Sequence, residues 1–243
     1  DGFNAKIWNV VEADSDSEPS LILTYTSPDG EENYPGTLTV KVTYTLSKNG
    51  ALSIHYEAET DKTTIVSLTN HSYFNLAGYN AGPVDDLVLQ LDCDKINSLD
   101  NELIPDGKLI DVEGTPYDFR KAKKVGEGFG SDFPMMKEFG GYDNNFVFAD
   151  QSGKYFKRGS LEDTKSGRKL DLYTDQPCVQ VYTGNMINVN DPAFKNGVKQ
   201  YTHCAVCLET QAMPDSINHP GFTNTVLKPG EKYDTTTTFA FFN

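Results

Sequence analysis

The chain has 243 residues, and its 35 acidic side chains against 21 basic ones give a formal net charge of −14. An acidic surface of that kind repels nucleic acid and anionic lipid, and no apolar run is long enough to span a bilayer. Hydrophobic residues make up 37% of the chain and include 14 Phe and 13 Tyr, enough for the core of one large domain that meets a neutral ligand.

The chain opens almost inside a strand pattern at Ile7-Trp8-Asn9-Val10-Val11, and it reads as the C-terminal part of a longer chain with a single domain over 1–243. Ala13 to Pro19 is acidic and Ser-rich and reads as an exposed hairpin loop, and Leu21 to Thr26 is the next strand. Thr37 to Leu46 alternates: Leu38, Val40, Val42, Tyr44 and Leu46 share one face and Thr or Lys takes the other. That is the pattern of a half-buried antiparallel strand. Ser47-Lys48-Asn49-Gly50 turns the chain into a returning strand over Leu52–Ala58.

Further strands are predicted at Thr64 to Leu68, Leu87 to Leu91, Asn145 to Phe148, Lys169 to Tyr173, Val179 to Thr183, Ala205 to Glu209 and Thr235 to Phe242. Turn signals separate them, among them Ile104-Pro105-Asp106-Gly107, Ser166-Gly167 and Lys228-Pro229-Gly230. Lys121 to Gly141 is Gly-rich, lacks clear periodicity and reads as a loop near a site. No segment sustains a helical period. Many short strands joined by Gly/Pro turns predict an all-β fold, a large antiparallel β-sandwich.

Cys204 and Cys207 have the spacing of a redox or zinc motif. Positions three apart on a strand point to opposite faces, and no second pair completes a zinc site. With Cys93 and Cys178 they read as reduced core thiols, no metal is predicted, and the setting is cytoplasmic.

The ordered set of polar motifs carries the chemistry. Thr69-Asn70-His71-Ser72-Tyr73-Phe74-Asn75-Leu76, then Gly141-Tyr142-Asp143, then Gln180-Val181-Tyr182-Thr183-Gly184-Asn185, then Cys207-Leu208-Glu209-Thr210-Gln211, and finally Pro214-Asp215 with Asn218-His219-Pro220, occur in this sequence. Together with Thr26-Ser27-Pro28-Asp29-Gly30, Tyr34-Pro35-Gly36 and Gly114 to Arg120 they resemble the aldose 1-epimerases, the galactose mutarotase family, over essentially the whole chain. The resemblance implies a β-supersandwich and interconversion of the α and β anomers of free hexoses such as galactose or glucose, with no metal and no organic cofactor. By position it makes His71 the general acid and Glu209 the general base, with Tyr73, Asp143 and Gln180 lining the sugar site. The family also carries an N-terminal stretch that supplies an Arg and a second His. Those two residues, and any fused partner domain, are expected upstream of Asp1. Asn144 stands where the family often has His.

An apolar strand wall is expected to raise the Glu209 carboxyl toward neutrality, which suits a base. An acid and a base of this kind are expected on opposite flanks of a pyranose. Asp143 also reads as a turn residue, and Gln180 as an amide bonded to its neighbours. His55, His203 and His219 read as structural, Tyr182 as core, and Asn185 as closing the turn after Gly184. Two other readings stand beside the enzyme. One is a non-catalytic sugar-binding module. The other is an epimerase-like protein for a phosphorylated hexose, which would want clustered cations, whereas this chain has only Arg120, Arg158 and Arg168.

Overall fold

Alternation along Leu38–Leu46 works as predicted: Leu38, Val40 and Val42 are buried, and Thr39 between them is exposed. The computed structural model describes residues 2–15 and 18–243. Its first strands are β1 (Asn9–Asp14), β2 (Ser20–Ser27), β3 (Leu38–Leu46), β4 (Ala51–Thr60), β5 (Thr64–Ile65), β6 (Tyr73–Phe74), β7 (Val88–Leu91), β8 (Cys93–Leu99) and β9 (Pro105–Asp111). They are followed by β10 (Lys123–Lys124), one short helix α1 (Pro134–Phe139), β11 (Asp143–Phe148), β12 (Phe156–Glu162), β13 (Lys169–Thr174), β14 (Cys178–Tyr182), β15 (Val206–Gln211), β16 (Val226–Leu227) and β17 (Tyr233–Phe242). β1 and β2 pair antiparallel around the predicted acidic loop; Asp16 and Ser17 of that loop lie outside the described residues.

The strands form a nine-stranded sheet, β1-β2-β3-β4-β17-β13-β12-β7-β10, a six-stranded sheet, β6-β15-β14-β11-β8-β9, and a small β16-β5 pair. The pairings are antiparallel. One apolar cluster fills the space between the two large sheets. Val40, Val42, Ile54 and Tyr56 come from the nine-stranded side, and Phe146, Val181 and Leu208 from the six-stranded side. This is the predicted antiparallel β-sandwich.

A buried chain of hydroxyls crosses that core. Thr210 of β15 bonds Thr237 of β17, and Thr174 of β13 lies 3.2 Å from the same Thr237 oxygen. Thr174 also donates to the Thr236 carbonyl at 2.9 Å. Hydroxyls both donate and accept, so a closed set of them is tolerated where a lone one is costly.

Several local expectations are corrected. The predicted strand Thr64 to Leu68 is a strand only at Thr64–Ile65, because Leu68 turns its backbone to a side chain: its N–H donates to the Tyr233 hydroxyl at 3.1 Å. The turn predicted at Ile104–Gly107 lies earlier. The Asp100 carboxylate accepts from the Glu102 and Ile104 amides, Leu103 takes a left-handed φ of 64°, and Pro105 opens β9. Proline is tolerated there, as the first residue of an edge strand. The aperiodic stretch Lys121 to Gly141 holds β10 and the six-residue helix α1, which has Pro134 in its first turn and Gly140 as a left-handed cap.

β12 had no sequence signal because Arg158 sits in its middle. That guanidinium is fully buried, 3.8 Å from the Phe156 ring, and it donates to the carbonyls of Asp150, Lys154 and Thr174. Among the described residues no helix is long and apolar enough to cross a membrane.

Candidate active site

The outward face of the six-stranded sheet is polar because its strands alternate. On β11, β14 and β15 the inward positions are apolar (Phe146, Val179, Val181, Val206, Leu208). The alternate positions Asp143, Asn145, Gln180, Tyr182, Cys207 and Glu209 therefore point the other way. Register then sets them side by side. Asp143 pairs with Tyr182, Asn145 with Gln180, Gln180 with Glu209, Tyr182 with Cys207, and Cys207 with Tyr73 of β6. A one-residue slip in any of these pairings would bury the polar set in the core.

His71 reaches the same face from the segment before β6. The Asn70 side chain accepts from the Ser72 amide at 3.1 Å and turns the chain there. Phe74 packs inward on Phe239 with centroids 4.9 Å apart. Asn75 donates to the carbonyls of Gly82 and Cys204, both at 3.0 Å. His71 is thus held between two side-chain-to-backbone locks, with its ring 5.0 Å from Tyr73 and 6.0 Å from Tyr182.

His71 Nε2 stands 3.4 Å from Glu209 Oε1. That oxygen is buried and has no hydrogen-bond partner. Burial, and secondarily the Asp143 carboxylate, push the Glu209 carboxyl up from 4.5 to about 7. Asp143 is itself raised by burial, held back by the Gln180 amide that donates to it at 2.8 Å and by nearby His71. A buried carboxyl raised to about 7, with an imidazole nitrogen 3.4 Å away and a second carboxylate close by, is the kind of cluster in which acid–base groups are tuned.

All five predicted site residues converge. Tyr73 is half exposed above Cys207, Gln180 and Asp143 are bonded to each other, and His71 and Glu209 touch. His71 and Glu209 stand next to each other because the segment leading into β6 runs beside β15 at one edge of the sheet. Next to Asp143 and Gln180 opens a cavity of about 510 Å³ that reaches Asn97, Asn145, Phe139 and Met186. A larger groove of about 1050 Å³, under Phe222 and Tyr233, contains none of the five residues.

The family profile described as "Aldose 1-epimerase" matches residues 2–240. The chain belongs to the aldose 1-epimerase family. It is 41% identical to human galactose mutarotase over 240 residues, 99% of this chain and 67% of that protein. It is 34% identical to the aldose 1-epimerase of Haemophilus influenzae, covering 99% of this chain and 69% of that one. The structure of a galactose 1-epimerase from Lactobacillus acidophilus superposes with a TM-score of 0.84 at 28% identity, over 98% of this chain and 67% of that one. The enzyme class predicted from the motifs therefore stands.

Within this aldose 1-epimerase framework, several motifs are scaffold. Gly141 has no room for a Cβ, which would lie 2.2 Å from Asn185 Oδ1 and 2.8 Å from Thr183 Oγ1. Asn185, expected to close a turn, instead donates to the Tyr142 carbonyl at 2.9 Å and accepts from Thr183, so it clamps the residue before Asp143. In the Gly114–Arg120 motif, Tyr117 and Phe119 are buried against Tyr142, and Asp118 takes a two-point bond from Arg120. His55 pairs with Asp234 and His203 stacks on Phe129. His219 bonds the Pro105 carbonyl. Each of the three histidines thus has a partner within the scaffold.

The polar face also holds Tyr182, which the sequence reading left to the core, and Asn145 and Gln211, bonded there to Asn97, which it gave no role. Asn145 donates to Asn97 at 2.6 Å and accepts from Gln211 at 3.2 Å. The available signal was the polar alternation within Asp143–Phe148, where Asn145 shares a face with Asp143. The three arginines are engaged elsewhere: Arg120 by Asp118, Arg158 by buried carbonyls, and Arg168 by the Leu76 carbonyl.

Proposed function

We propose that this chain interconverts the α and β anomers of a free hexose, galactose or glucose, with Glu209 as base and His71 as acid. The observation that carries the reading is the buried, unpartnered Glu209 Oε1 beside the His71 imidazole, on a carboxyl that ionises near pH 7.

The steps follow from those two groups. Ionised Glu209 takes the proton from the anomeric hydroxyl while protonated His71 donates to the ring oxygen, and the bond from C1 to that oxygen breaks. The aldehyde carbon turns about its bond to C2, and the freed hydroxyl attacks the other carbonyl face. The same hydroxyl returns its proton to His71, and Glu209 protonates the new anomeric oxygen. Each positioned acid or base of this kind supplies about 100- to 10,000-fold. Tyr73 offers an aromatic face and Asp143 and Gln180 offer bonds to hydroxyls. Free, buried thiols fit a reducing, cytoplasmic setting. The engaged arginines argue against a phosphorylated substrate.

Polarimetry on freshly dissolved α-galactose tests the reading. Equilibration faster than buffer in wild type, and at the buffer rate in Glu209→Gln, is the expected result. A Glu209→Gln protein as fast as wild type overturns it.

A further inference from the structure

The outward face carries one group that the proton-transfer steps never use. Cys207 lies two residues before Glu209 on β15, so its thiol emerges on the same side of the sheet. One ligand atom from each of His71, Cys207 and Glu209 falls within 4.8 Å of the others. The imidazole and carboxylate atoms, 3.4 Å apart, are already at the spacing of two ligands on a tetrahedral ion with bonds of about 2.0–2.1 Å. Glu209 is more than nine-tenths buried, and its Oε1 faces this cluster without a partner.

We propose that His71, Cys207 and Glu209 form a site for a thiophilic divalent cation of the Zn²⁺ class, and that its occupation silences the enzyme. The donor set of nitrogen, sulfur and oxygen matches zinc, with three protein ligands and the fourth position open to water. It does not suit magnesium or calcium, which take oxygen donors. The ion enters past the half-exposed side chains of His71 and Tyr73. On binding, zinc replaces the thiol proton of Cys207, which leaves to solvent. The metal occupies the imidazole nitrogen and the carboxylate oxygen at once, so neither can move a proton. This site is distinct from the Cys204/Cys207 pair considered in the sequence, since Cys204 precedes β15 and is not among the three ligands. Loss of turnover rests on the roles proposed for His71 and Glu209; ion binding does not.

Titration of the metal-free full chain with Co²⁺ and then Zn²⁺ tests the proposal. One equivalent of Co²⁺ is expected to produce a thiolate-to-cobalt absorption in the near ultraviolet, which Zn²⁺ replaces with release of no further proton. Activity should fall in step with zinc occupancy, return on chelation, and be protected by saturating galactose. Cys207→Ser and Cys207→Ala, checked for native circular dichroism, should lose the absorption. Each variant's own activity should also need about tenfold or more additional zinc for half-inhibition. Absence of the cobalt band in wild type, or equal zinc sensitivity in wild type and both variants, overturns the proposal. A chain with no mutarotation at all would refute the functional reading alone, because the cobalt titration still reports the site.

Discussion

Glu209→Gln should make the protein less active and more stable at once. In the unfolded chain this carboxyl ionises near 4.5, and in the fold near 7. Between those values the folded state holds a proton that the unfolded state has lost. The stability tied to that proton is complete below about 4.5 and is lost as pH rises through 7. The rise from 4.5 to about 7 corresponds to about 3 kcal/mol of destabilisation carried by the ionised, buried group at pH 8. Glutamine removes the charge with little change of shape. Its amide inherits an orphaned position, which takes back about 1 kcal/mol. The net expectation at pH 8 is a gain of about 2 kcal/mol, or about 4–8 °C in Tm for a domain of this size. The mutarotation rate falls by about 100-fold or more. Thermal melts of both proteins from pH 4 to pH 9, beside polarimetry at pH 8, measure all of this. The Tm difference should open between pH 4.5 and 7, and below about 4.5 it should reverse, leaving the variant lower by the about 1 kcal/mol its orphaned amide costs. A variant that is inactive yet no more stable at pH 8, or a Tm difference independent of pH, refutes the claim that burial tunes this carboxyl.

The same carboxyl predicts that kcat/KM falls as the pH drops below about 7, read directly from rate profiles against α-galactose. Asp143→Asn keeps an acceptor for Gln180 but removes the neighbouring charge, so that acidic limb should move to lower pH; an unmoved limb would show the two carboxylates to be uncoupled. Gly141→Ala forces a Cβ against Asn185 and Thr183, and denaturant melts should register a loss of about 1–3 kcal/mol. Asn185→Ala removes one donor from the Tyr142 carbonyl, which Thr183 still bonds, and steady-state kinetics should show a raised KM with a smaller change in kcat, because only the placement of Asp143 is loosened.

How much of this was legible in the sequence depended on where a pattern could survive. The β3–β4 hairpin was plain because each side chain reports its face, and Gly50 takes the left-handed φ of 79° the loop requires. β12 was invisible because a buried arginine, held by aromatic rings and carbonyls, reads as surface. β9 was not read as a strand because Pro105-Asp106-Gly107 has turn chemistry, while the turn itself is made at Leu103 by the Asp100 carboxylate. His71 and Glu209 were legible from motif order, not from periodicity. The Asn97–Asn145–Gln211 contacts needed the register of four strands, which no local window contains. The side-by-side placement of His71 and Glu209 likewise follows from β6 and β15 being neighbours, a long-range pairing.

β15 carries Glu209 outward and, one peptide unit later, Thr210 inward to the hydroxyl seam with β17. The proposed proton acceptor and the mortar between the sheets are thus rungs on the same ladder. Any slackening of the seam on warming reaches the carboxylate through a single peptide unit, so turnover should fade before the sandwich comes apart.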